Sequence, residues 1–127
     1  MLLFGHPWVE SRFFAKVFSI EEIKSTEPKD IVLLEPLNVS IELARYCHEN
    51  DIEFAVSVGS IHEAIVTNAL GAGYILAQFE MAIALQKVAD EYMFDTRVLV
   101  LVESEKAIES MARFGIDGVV FPKAIKH

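Results

Sequence analysis

The stretch IEFAVSVGSIHE, residues 52–63, decides the fold class. Ile52 to Val58 is an apolar run of strand length, rich in β-branched and aromatic residues, and Gly59 ends it. Ser60 follows, with Glu63 three positions on. That spacing is a capping box, in which the serine oxygen takes one orphan amide at a helix start and the glutamate reaches back to another. A strand, a short glycine loop and a capped helix make one βα unit.

Outward from this stretch the pattern recurs. Ser19-Ile20-Glu21 and Ser40-Ile41-Glu42 precede Ser60-Ile61-His62 at intervals of about 20 residues, the length a strand, a loop and a helix require. Ser19 has Glu22 at the capping-box position, and Asn38 or Ser40 is expected to open the next helix. Further units start near Phe79-Glu80 and Ser104-Glu105. The strands are expected at Ile31–Leu34, Ile52–Val58, Tyr74–Ala77, Arg97–Val102 and Gly118–Phe121, with short extended segments at Leu2–Phe4 and Phe13–Phe18. Ile31 to Leu34 is apolar without alternation, as a strand covered on both faces must be.

Repeated βα units predict an α/β fold with a mostly parallel sheet of five or six strands, built as one domain over residues 1–127. The leading architecture is a doubly wound three-layer sandwich, and the alternative is a partial (βα)-barrel. The segment Gly115-Ile116-Asp117-Gly118-Val119-Val120-Phe121-Pro122-Lys123 resembles strand endings of aldolase-type phosphate-binding barrels, a likeness that bears on the fold alone.

A net charge of −8 argues against binding to a phosphate backbone, which needs clustered Lys and Arg, so no nucleic-acid partner is expected. No apolar run approaches the roughly 18 residues of a membrane span and no basic leader precedes one, so the expectation is a cytoplasmic protein without a membrane partner. Cys47 is alone, which excludes an intrachain disulfide and a multi-cysteine metal site. Hydrophobic residues make up 53% of the chain, more than one small core needs, and the wide apolar arc between Phe79 and Phe94 points to a homo-oligomer.

Ligands in parallel α/β folds bind beyond the carboxyl ends of the strands. The residues expected there are Glu35, Ser57, Gly59, Ser60, Gln78, Glu80, Glu103, Ser104 and Lys123. Glu35, Glu80 and Glu103 are candidate Mg²⁺ ligands if they converge, and their mutual repulsion would then raise a pKa. Glu35 and Glu103 are also candidate acid–base groups, with His6 of the His-Pro-Trp loop assisting. Ser57, Gly59 and Ser60 form a glycine loop at a helix start, suited to an anion, with Gln78 and Lys123 as further substrate contacts. Neither a dinucleotide glycine fingerprint nor a P-loop occurs. The expected function is binding or regulation by a small anionic or phosphorylated metabolite. The alternatives are a small lyase, isomerase or hydrolase using the rim carboxylates, and an interaction module without a ligand.

Overall fold

Each element forms for a local reason. Ser19 and Ser60 sit in extended backbone and accept the amides of Glu22 and Glu63 through their hydroxyls, at 3.2 and 3.1 Å. The returning glutamates bond the amides of Phe18 and Gly59 at 3.0 and 2.9 Å, completing both capping boxes. Ser40 differs. Its hydroxyl donates to the Pro36 carbonyl at 2.8 Å and makes no cap bond, because a 3-10 turn at Leu37–Val39 already leads into the helix.

The computed structural model describes residues 1–126. Its strands are β1 (Leu2–Phe4), β2 (Phe14–Lys16), β3 (Ile31–Leu34), β4 (Phe54–Ser57), β5 (Tyr74–Ala77), β6 (Arg97–Leu101), β7 (Gly118–Val120) and β8 (Ile125–Lys126). Its helices are α1 (Ile20–Lys24), α2 (Ile41–Glu49), α3 (Ile61–Ala69), α4 (Phe79–Glu91) and α5 (Lys106–Arg113). The strands form one parallel sheet in the order β1-β7-β6-β5-β4-β3-β2-β8, curled into a half-barrel.

The α/β class and the parallel sheet are as expected, but the sheet has eight strands among the described residues rather than five or six. The excess comes from β1 and β2, which match the short extended segments at Leu2–Phe4 and Phe13–Phe18 and both join the sheet, and from the two-residue β8, too short for an apolar run to mark. The architecture follows the partial barrel rather than the doubly wound sandwich. From β2 to β7 every strand lies beside its predecessor in one continuing direction. Right-handed crossovers without a reversal place all the helices on one face, whereas a doubly wound sheet needs the order to turn back.

Two cores result. The outer one takes Val32, Leu34, Phe54, Val56, Ile75, Val98 and Val100 from the strands, and Ile23, Ala44, Cys47, Ala64, Leu85 and Met111 from the helices. The inner one contains Phe4, Phe14, Ile31, Leu33, Ala55, Leu76, Leu99, Val120 and Ala124, with no α-helical residue among them. The strands therefore alternate between two apolar surroundings, which is why Ile31 to Leu34 is apolar throughout.

Curling is what buries the inner set, since no second helix layer covers it. The Phe4 ring of β1 meets Phe14 of β2 at 5.0 Å and Tyr74 of β5 at 5.6 Å, so distant strands of the sheet touch across the interior. Gly118 makes room for this: a Cβ there would stand 2.7 Å from Leu99 Cδ2 and 2.8 Å from the Leu2 carbonyl oxygen. At the seam, Lys126 of β8 bonds the buried Asp30 carboxylate at 3.1 and 3.2 Å, tying the last strand to the start of β3.

Candidate functional site at the carboxyl mouth

Because side chains alternate along a strand, the inner series can be followed upward from each buried residue. Phe14 is followed two residues on by Lys16, Leu33 by Glu35, Ala55 by Ser57 and Leu76 by Gln78. On each of these strands the inward apolar series ends in a polar residue at the carboxyl end. Lys16, Glu35, Ser57 and Gln78 line one recess of about 190 Å³, together with Leu33, Leu76, Leu101 and Ile125.

Lys16 Nζ lies 2.7 Å from Glu35 Oε1, and the two side chains are 30% and 35% exposed, so the pair is partly screened but faces the recess. Gln78 stands at the head of α4, its side chain makes no cap bond, and it lines the recess. The arrangement offers a cation, a carboxylate, a hydroxyl and a carboxamide above an apolar floor.

Three of the expected contacts, Glu35, Ser57 and Gln78, are thus brought together. Lys16 is an addition. The period-two phase set by Phe14 was the signal for it, since an inward Phe14 places Lys16 on the same face.

The other candidates lie elsewhere on the carboxyl side. Gly59 and Ser60 are occupied by their capping box: the Gly59 amide donates to Glu63 and the Ser60 hydroxyl accepts from it, so an anion at this loop would meet the Glu63 carboxylate. Glu80 and Glu103 are exposed, and Lys123 sits exposed in the 3-10 turn Pro122–Ala124. Among the described residues no three His, Cys, Asp or Glu side chains gather to hold a metal ion. The acidic cluster of Glu35, Glu80 and Glu103 is therefore not formed, and the charge next to Glu35 is the Lys16 ammonium rather than a second carboxylate.

His6 is buried against the rings of Trp8 and Phe121, with centroids 5.6 and 5.9 Å away. Both ring nitrogens are engaged: Nδ1 accepts from the Trp8 amide at 3.1 Å, and Nε2 bonds Glu105 Oε1. Such a histidine pins the N-terminal loop and has no nitrogen left for a substrate.

At the amino end of the inner face the polar groups are bonded to one another. Arg12 Nη1 bonds both Glu53 oxygens, at 2.8 and 2.9 Å, and its Nε bonds the Lys29 carbonyl at 2.9 Å. Tyr74 stands beside this pair, and burial first, then the Glu53 carboxylate, push its hydroxyl above the ordinary tyrosine range.

No model of a known protein family matches the chain, and no curated protein matches it. No helix among the described residues is long and apolar enough to cross a membrane.

Proposed function

We propose that the chain is a small-molecule-binding α/β domain whose ligand occupies the carboxyl mouth of the curled sheet, with Lys16 meeting an acidic group of the ligand. The observation that carries this reading is the convergence of Lys16, Glu35, Ser57 and Gln78 around one recess floored by apolar side chains. Concave sites with an apolar lining and a few placed polar groups are the usual form of metabolite sites.

Size narrows the ligand. Sites for drug-sized molecules start at roughly 300 Å³, and this recess has about 190 Å³, so a short organic acid fits and a nucleotide does not. The proposed ligand is accordingly a small acid, with a short carboxylate as its leading form. The Ser57–Ser60 loop is left out of the proposal as a phosphate cradle because Glu63 fills it.

Self-association belongs to the same proposal. Tyr92 and Met93, just after α4, are 71% and 84% exposed, and Phe18 and Val39 are 66% and 72% exposed at the carboxyl side. Apolar surface of this kind suits contact between copies. Sedimentation at micromolar concentration is expected to show more than a monomer, and a monomer would remove this part.

A thermal-shift screen of short carboxylates, amino acids and phosphorylated compounds tests the main reading, because a ligand selective for the native state raises apparent stability. At 100 times its Kd the expected gain is about 2.7 kcal/mol, readable as a melting-point rise of several degrees. The rise should vanish in Lys16→Met. A shift that survives this substitution places binding elsewhere.

A further inference from the structure

We infer that the ligand of the mouth recess is a zwitterion, an α-amino acid with a short aliphatic side chain, an inference that rests on the binding reading above. Lys16 and Glu35 are the charged residues lining the recess, and they lie 2.7 Å apart. An anion drawn to Lys16 must approach the Glu35 carboxylate at nearly the same distance, so attraction and repulsion largely cancel. A cation drawn to Glu35 meets Lys16 in the same way. A ligand carrying both charges on neighbouring atoms avoids the conflict: its carboxylate turns to Lys16 and its ammonium to Glu35, which exchanges one ion pair for two.

The remaining lining fits the rest of such a molecule. Leu33, Leu76, Leu101 and Ile125 offer an apolar floor for a short aliphatic side chain. Ser57 and Gln78 supply a hydroxyl and a carboxamide at the recess for the second carboxylate oxygen or the spare ammonium protons. The volume of about 190 Å³ admits a compact ligand of this kind. The overall charge of −8 opposes the approach of anions but not of a net-neutral molecule.

The test is isothermal titration of the full chain with three matched probes. L-valine carries both charges, isovalerate lacks the ammonium, and isobutylamine lacks the carboxylate. Valine is expected to bind at least about tenfold more tightly than either analogue, a margin that one charge-assisted hydrogen bond supplies. Glu35→Gln should reduce valine to the level of isovalerate, and Lys16→Met should reduce it to the level of isobutylamine. Circular dichroism and melting curves establish that both variants remain folded.

Isovalerate binding as tightly as valine would overturn the zwitterion inference while leaving an acid-binding mouth in place. Equal binding of isobutylamine would overturn it too, as would silence from all three probes alongside binding of another carboxylate. If neither these probes nor any wider panel of carboxylates and phosphorylated compounds binds at millimolar concentration, the binding reading itself falls. Valine affinity unchanged in Glu35→Gln would also count against the zwitterion, because the ammonium would then have another partner.

Discussion

The two ends of the inner face carry the same kinds of groups and use them in opposite ways. At the amino end a cation, a carboxylate and a hydroxyl, from Arg12, Glu53 and Tyr74, are drawn into contacts with one another and with the Lys29 carbonyl. At the carboxyl end Lys16 and Glu35 share one close contact beside an open recess lined also by Ser57 and Gln78. The planar guanidinium suits the first task, because its fork can satisfy two carboxylate oxygens and a carbonyl at once. A lysine ammonium next to a recess keeps hydrogen-bonding capacity for a ligand. Polar groups bonded to one another offer a ligand less than groups with bonding capacity left over.

The largest effect should come from the layer that holds the two ends apart. Phe14 is fully buried and touches Phe4 and Tyr74 across the interior. Phe14→Ala is expected to destabilise the fold by about 3–5 kcal/mol, measured by denaturant unfolding. A loss below about 1 kcal/mol would mean that the inner face is not a packed core.

Alkaline pH probes the buried acids next. Burial pushes the Cys47 thiol up from 9.0 to about 11, and Tyr74 at the amino end is raised as well. The unfolded chain then releases these protons before the folded one does, so the native state binds more protons and stability must fall as pH rises through that window. For Cys47 the loss between pH 9.0 and about 11 approaches about 2–3 kcal/mol. Cys47→Ala should flatten the decline, and Tyr74→Phe should remove the part that belongs to the amino end. Stability that does not change over this range would contradict the burial of both groups.

A smaller effect separates the ends directly. Arg12→Ala breaks a bridge joining three segments and should cost about 1 kcal/mol, a value held down by solvent screening of a pair with 39% and 35% exposure. Lys16→Met loses a single contact and should change stability by less than about 0.5 kcal/mol, while abolishing the ligand response. Glu35→Gln brings no gain from relieved repulsion, because the neighbour of Glu35 is Lys16. If the Lys16 variant proves the more destabilised of the two, the assignment of a structural and a binding end is reversed.

How far these features could be read from the sequence depended on their range. Capping boxes are local, and both Ser19 and Ser60 act as their spacing to Glu22 and Glu63 requires. The unalternating run from Ile31 to Leu34 signalled burial on both faces, which holds with Val32 and Leu34 toward the helices and Ile31 and Leu33 toward the interior. Whether the second face was covered by helices or by the sheet itself was a matter of strand order, and no short-range pattern encodes that. Glu35, Ser57 and Gln78 were legible because each directly ends an apolar run. Lys16 was missed because the extended segment was read through to Phe18, two residues past the end of β2, although its phase relative to Phe14 carried the information. The pairing of His6 with Glu105 spans 99 residues and left no trace in either neighbourhood.

The most direct test of a structural amino end and a ligand-binding carboxyl end is a chemical-shift map of the isotope-labelled chain titrated with L-valine. The account predicts saturable shifts at the amides of Lys16, Glu35, Ser57 and Gln78 and at the methyl groups of Leu33, Leu76 and Leu101, with Arg12, Glu53 and Tyr74 unmoved. Shifts centred on Arg12 and Tyr74, or no saturable shift at the carboxyl mouth, would contradict it.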